Sequence, residues 1–388
     1  MGIAPRLAKS WAAMKLDTRN LSSTRASIIR LLFLSSIFCC AAYLIIFLPF
    51  SYISQAMFVR HSQAAAVLEP GEDAVKHFAG SRECGILQED LYTVPWPLNP
   101  KVSPFCGKRA ELLEAMSGGG RYGFDEPYVG KGCTYRWFST PEICMILERF
   151  NVIVFAGDDV AQSLYAAFNI LLREDFSLGG LQEWIMSEED RAKCQCDNQF
   201  LNNECLKFSV KSIDKVKKNE GGERRGSPYF CKRVPHAYIP FETVPVSPAS
   251  QTSFKDLMYG KPNPWQPSPF IFSFSRGSSF DSTATTKALD EWYTLATGAE
   301  RNIPILFLSP PAFGINKAPS TVPKEGNVAV WNYHTAMTPA AKDKHFDVLS
   351  LFNLTLQASS VDGEKFGERV ALVEAMMVIN WLSKLETS

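Results

Sequence analysis

The sequence predicts an α/β fold: a three-layer αβα arrangement around a parallel sheet, with a cysteine-containing insertion and one transmembrane helix ahead of the folded part. Three observations carry this. From Asn151 to Ile170 the chain reads N-V-I-V-F-A-G-D-D-V-A-Q-S-L-Y-A-A-F-N-I, a buried strand, a tight glycine turn and an amphipathic helix that opens on two aspartates. After residue 268 strand-like and helix-like segments alternate, which requires parallel strands covered on both faces. Between Leu31 and Tyr52 no charged residue occurs, a run of roughly 20 residues that can cross a bilayer as a helix.

The elements follow in order. P-F-I-F-S-F at 269–274 predicts a strand, 283–297 a helix, and I-P-I-L-F-L over residues 303–308 a strand ended by Pro310 and Pro311. A helical stretch near 328–337 leads to the strand D-V-L-S-L-F at 347–352. A last helix over 368–385 carries Val370, Leu372, Val373, Met376, Met377, Ile379 and Leu382 as a broad apolar stripe. Residues 180–268 hold Cys194, Cys196, Cys205 and Cys231, a charged run from Lys215 to Arg225, and P-N-P-W-Q-P-S-P. That composition predicts an insertion or cap rather than a regular βα unit. Residues 84–150 are loop-rich and aromatic, and 54–83 have little to pack and predict a stem. No internal repeat is evident.

Charge excludes one class of partner and places the chain. Lys plus Arg number 40 and so do Asp plus Glu, so no global charge favours nucleic acid. Arg6, Lys9, Lys15, Arg19, Arg25 and Arg30 precede the apolar run against the lone acid Asp17. The positive-inside rule then sets a cytoplasmic tail at 1–30, a signal-anchor at 31–53 and everything later on the non-cytosolic side, a single-pass type II topology. A cleaved signal peptide is the competing reading, and the long apolar run and extended basic tail disfavour it. Cys39 and Cys40 lie in the span, and the other eight of the ten cysteines follow it, an even number in an oxidising compartment. Disulfides are therefore expected over a zinc site at Cys194, Cys196, Cys205 and Cys231, in a pairing the spacing leaves open. Asn353-Leu354-Thr355 is a glycosylation sequon on the matching side.

Chemistry is expected where two loops converge on the carboxyl ends of the strands: the turn at Gly157, Asp158 and Asp159, and V-D-G-E-K-F-G over residues 361–367 before the last helix. No Walker loop or H-E-x-x-H occurs, and no metal or cofactor is expected. G-G-G-R-Y-G over 118–123 satisfies the dinucleotide pattern but follows a helix-like segment, so it predicts a turn.

The Y-R-W…P…C segment at 135–144, the F-A-G-D-D strand and turn, and the late D-G-x-x-F-G together resemble the SGNH/GDSL hydrolases. More closely, the chain resembles the PC-esterase group, with the trichome-birefringence-like polysaccharide O-acetyltransferases and related fungal membrane proteins, over residues 84–388. The resemblance implies an SGNH domain, similar to a flavodoxin-like sheet, in the Golgi or elsewhere in the secretory pathway, and a carbohydrate or polysaccharide ligand. It implies a Gly-Asp-Ser motif with a serine nucleophile and a later Asp-x-x-His. On this chain Gly157 and Asp158 match, Asp159 falls at the serine, Asp362 matches the acid and Lys365 falls at the histidine. Arg276 and Gly277 lie in the polar loop after the middle strand, where Gly277 would help form the oxyanion turn. Arg136, Trp137 and Arg276, with Trp265, are candidates for sugar contact.

Those substitutions fall on the reacting atoms. Acyl transfer needs a hydroxyl nucleophile and a base titrating near neutrality. A carboxylate at 159 is no such nucleophile, and lysine, with a reference pKa of about 10.4, is already protonated. Losing serine or histidine from a triad costs on the order of 10⁶ in turnover. The expectation is a degenerate triad in which Lys365 sits between Asp159 and Asp362 as a fixed ion pair, in a domain that binds a carbohydrate or a partner. Two alternatives stand beside it. An active O-acyltransferase or esterase would use displaced groups, with Ser163 as nucleophile and His334 or His345 as base. A type II glycosyltransferase would use Asp158 and Asp159 on a divalent metal.

Overall fold

Five short runs of apolar residues pair into one parallel sheet whose strands are β3 (Ile153–Gly157), β4 (His236–Pro240), β5 (Phe270–Ser273), β6 (Ile305–Ser309) and β7 (Asp347–Ser350). Two further strands, β1 (Gly120–Arg121) and β2 (Tyr128–Val129), make a separate antiparallel ribbon. The principal helices are α1 (Arg109–Gly118), α2 (Thr140–Leu147), α3 (Asp159–Arg173), α4 (Pro248–Met258), α5 (Ser282–Thr297), α6 (Asn327–Lys342) and α7 (Glu368–Ser383). This computed structural model describes residues 84–93, 104–219, 227–231, 233, 235–260 and 263–386, with 34–36, 75 and 78. The expected tail at 1–30, most of the anchor at 31–53 and most of the stem at 54–83 lie outside those residues. Among the described residues no helix is long and apolar enough to cross a membrane.

Side chains alternate along each strand, so each strand feeds two cores. Ile153, Phe155, Tyr238, Ile271, Leu306 and Leu349 pack with α1, α3 and α7. Val154, Ala156, Ile239, Phe270, Phe272, Phe307 and Val348 pack with α4, α5 and α6. The three expected layers are therefore present, with the sheet in the middle. Helix α7 is buried nearly all round, against α3 on its own layer, and its polar residues are tied down: Asn380 exchanges hydrogen bonds with the backbone of Arg136, and the Trp381 indole donates to Asp347 at 2.7 Å.

Sheet order is β4-β3-β5-β6-β7, so the order reverses at β3. A crevice opens at such a switch point, beyond the carboxyl ends of β3 and β5. Strand β4 corrects the expectation of an insertion or cap over 180–268, because it and α4 arise inside that segment. The signal was masked by prolines: H-A-Y-I-P begins after Pro235 and ends on Pro240. An edge strand tolerates them, since its outer amides need no partner. The folded part also begins earlier than Cys84. Val75 and Phe78 are buried in the α7-side core, with Phe78 4.7 Å from the Phe176 ring.

All eight cysteines after the apolar run pair: Cys84–Cys196, Cys106–Cys133, Cys144–Cys231 and Cys194–Cys205. The zinc alternative has no free thiolate left to use. Cys144–Cys231 ties a segment between strands to α2, and the other three bridges join non-repetitive segments to one another. The Gly118–Gly123 run closes α1 and enters the β1–β2 ribbon, as a turn would.

Trp292 on α5 is fully buried against Phe241, Phe254, Phe270 and Phe272. Trp292→Ala should cost about 3–5 kcal/mol of stability, read as a lowered urea midpoint. A loss under about 1 kcal/mol would show that this layer is not packed as described.

Candidate functional site at the strand-order switch

The strand β3 ends on Gly157, whose φ of +148° an L side chain rarely adopts; a Cβ there would stand 2.1 Å from the Ser273 carbonyl oxygen. Glycine is required because β5 passes so close. The next residue, Asp158, is only 4% exposed and sits at the N-cap position of α3 without a side-chain cap bond. Its carboxylate faces the loop after β5. Oδ1 accepts from the Ser273 hydroxyl at 2.9 Å, and Oδ2 accepts the amides of Ser275 at 2.8 Å, Arg276 at 2.9 Å and Gly277 at 3.3 Å. The Gly277 amide, expected to donate to an oxyanion, thus points to a fixed carboxylate. The Gly157 carbonyl is also engaged, accepting from the Tyr238 hydroxyl at 2.8 Å.

Asp159 is the first residue of α3 and stands at the mouth of the crevice. Its partner is Arg276, at 2.7 Å, not Lys365. Arg276 also donates to the Glu364 carbonyl and lies over the Phe313 ring at 5.7 Å. Lys317, itself buried, also lies over that ring, at 4.1 Å, and pairs with Glu325 and Glu364. The mouth is therefore ringed by paired charges around one aromatic. Burial raises the Asp159 carboxyl, Arg276 opposes the rise and Asp158 adds to it. The inner oxygen Oδ1 of Asp159 and Nε of Arg276 are buried without a partner.

Sequence reasoning missed Glu374, which lies among the apolar residues of the last helix. It enters the crevice from α7, is 6% exposed and has no hydrogen-bond partner among the described residues. Burial pushes its carboxyl up to about 8, Arg276 opposing and Asp159 adding. The signal for it was a glutamate between Val373 and Ala375 on a helix otherwise apolar on that side.

The expected ion triplet of Asp159, Lys365 and Asp362 does not form. Asp362 folds back on its own loop and accepts the Glu364 and Lys365 amides, each at 2.8 Å. The Lys365 ammonium donates to Asn203 at the surface. Both Lys365 and Asp159 still line the crevice, with Ser163, Arg276, Phe366 and Glu374, but the space left between them is only about 40 Å³. That holds a few waters, far below the roughly 300–1,000 Å³ of ligand pockets. Arg276, ranked in the sequence among sugar-contact residues, is instead the lock of this site.

Other candidates fall elsewhere. Trp137 is buried in the core beside Tyr92, and Arg136 pairs with Glu142 over the Phe138 ring, so neither reaches the crevice. Trp265 is exposed and lines neither this crevice nor the groove beside β7. Ser163 lines the crevice, but no imidazole does. A hydroxyl–imidazole contact exists at Ser309 and His334, 2.7 Å apart, away from the crevice at the end of β6, with Ser309 fully buried. Asn353 lies in the short helix Phe352–Thr355, half-buried, its amide donating to the Ser117 carbonyl at 3.0 Å.

No family model matches the chain, and no curated protein matches it. Among solved structures the chain is similar to Est24, a carbohydrate acetylesterase from Sinorhizobium meliloti, at 9% identity and a TM-score of 0.32, over 59% of this chain and 96% of that one. At that distance the fold rests on the sheet order and layers above, and the chemistry on the residues of the crevice.

Two outcomes follow from this geometry. Asp158→Ala strands the Ser273 hydroxyl and the loop amides in a buried place, and should cost about 3 kcal/mol or more in urea unfolding. For Glu374 the folded value lies above the unfolded value of 4.5, so the neutral form is the one the fold accepts. Stability should be full below about pH 4.5 and fall as pH rises to about 8. Glu374→Gln should remove that part of the pH slope and stabilise the chain at pH 8 by on the order of a few kcal/mol. An unchanged slope would place the Glu374 carboxyl in water.

Proposed function

We propose that this chain is a type II membrane protein of the secretory pathway whose lumenal αβα domain derives from an SGNH or PC-esterase-like acyl transferase and binds a saccharide without reacting with it. One observation carries the reading. The amides of Ser275, Arg276 and Gly277, best placed to steady an oxyanion, are all taken by the Asp158 carboxylate, while Arg276 pins the residue at the nucleophile position. Catalysis of acyl transfer relies on donors aimed at developing charge and a base that can take a proton. Here the donors face the Asp158 side chain, and no imidazole lines the crevice among the described residues. Four disulfides in one domain support an oxidising compartment.

The glycosyltransferase reading loses support at the same atoms. A metal at Asp158 would compete with donors already in place, because both of its oxygens accept from N–H or O–H groups. The displaced-nucleophile reading retains Ser163, but no imidazole lines the crevice with it, Asp159 and Glu364 are held by Arg276 and Lys317, and Ser163 makes no hydrogen bond to Glu374 among the described residues.

The full chain should hydrolyse p-nitrophenyl acetate and acetylated xylan no faster than buffer, and Ser163→Ala should leave that background untouched. A turnover that disappears in Ser163→Ala would defeat this reading and restore an active esterase.

A further inference from the structure

The crevice at the strand-order switch is too small for a sugar, but a second cavity is not. A groove of about 650 Å³ runs beside β7, the free edge of the sheet, between α1 and α6. That volume lies within the range of small-ligand sites. Trp331 of α6 lines it and is 51% exposed, an unusual setting for a tryptophan, with its ring packed edge-on to Phe352 at 5.4 Å and beside His334 at 5.5 Å.

The groove's polar groups are held in place. The Nδ1 atom of His334 meets the Ser309 hydroxyl at 2.7 Å and the Thr338 hydroxyl at 3.3 Å, which fixes the ring and leaves Nε2 with no protein partner among the described residues. Burial lowers the His334 imidazole, so it is neutral at pH 7 and able to hydrogen-bond without bringing charge. Asn353 is anchored through its amide nitrogen to the Ser117 carbonyl, which leaves its amide oxygen as an acceptor. Glu114 and Lys131 line the groove without an ion-pair partner among the described residues, an acceptor and a donor. Lining charges balance, Glu114 and Asp347 against Lys131 and Lys342, which disfavours a phosphate or a polyanion.

A half-exposed indole, ringed by donors and acceptors with no net charge, matches a pyranose ring: an apolar C–H face and a rim of hydroxyls that both give and accept hydrogen bonds. We propose that this groove is a binding site for a neutral oligosaccharide segment, with one sugar on Trp331 and its hydroxyls on His334, Asn353, Glu114 and Lys131. The proposal rests on the reading of the domain as a saccharide binder and moves the ligand from the closed crevice to the sheet edge.

The test uses the full chain in detergent, titrated calorimetrically with tetrasaccharides of β-1,4-linked glucose, N-acetylglucosamine, xylose and mannose. At least one should bind, and Trp331→Ala and His334→Ala should each weaken it about tenfold or more with unchanged circular dichroism, while Trp265→Ala should not. Binding that survives Trp331→Ala but is lost in Arg276→Ala would place the ligand in the crevice, overturning the groove and sparing the saccharide reading. Binding to none of the four would end both. Displacement of the sugar by adenosine would show an aromatic slot of the wrong class, and a glycan found on Asn353 by peptide mass would show the groove filled by the chain's own sugar; either result overturns the proposal.

Discussion

The Asp158 carboxylate is the tie on which the architecture of the crevice depends. It sits where the sheet order reverses, between the ends of β3 and β5, and it draws one hydroxyl and three backbone amides of the β5 loop onto its two oxygens. A buried carboxylate needs such compensation, since desolvation of an unpaired charge costs several kcal/mol. The loop is therefore shaped around the anion, and the position of Arg276 follows from that shape. Gly157 makes the approach possible by leaving room for the Ser273 carbonyl.

From this tie the charge pattern unfolds outward. The loop presents Arg276 to Asp159, which occupies the position a turn nucleophile would hold, and the same guanidinium reaches the Glu364 carbonyl of the last loop. The two converging loops are thereby joined by one residue. Glu374 completes the inner wall with a carboxyl that burial and the nearby Asp159 make harder to ionise, and a second full charge there would compete for Arg276. The result is a polar plug at the place where α/β sheets bind ligands, with the open surface displaced to the other end of the sheet at β7.

Much of this was legible in the residues. The strand and turn at 153–158, the alternation after 268 and the apolar stripe of α7 announced a parallel sheet between two helix layers, and each appears. The meeting of two loops was legible too, because the glycine turn and the loop before α7 both had to lie at the carboxyl ends of the strands. What escaped was which charge answers which. Lys365 and Arg276 are equally plausible partners for Asp159 from sequence alone; the choice is made by the Asx turn at Asp362, which swings Lys365 outward, and by the amides at Asp158, which hold Arg276 inward. Strand β4 escaped for a different reason, since its bounding prolines imitate a loop and its pairing with β3 is contact across a long sequence interval. Glu374 escaped because burial, not residue type, makes it unusual. Trp137 looked like a ligand contact and is core, as a large aromatic beside a helix most often is.

The account thus turns on fixed charges standing in place of a proton relay. A fluorophosphonate, which forms an adduct with any serine activated by a neighbouring base, reads that claim directly when followed by intact mass and peptide mapping. The account predicts no mass shift on the full chain after prolonged incubation at pH 7.5. An adduct at Ser163, Ser275 or Ser309 would reveal an activated hydroxyl and contradict it.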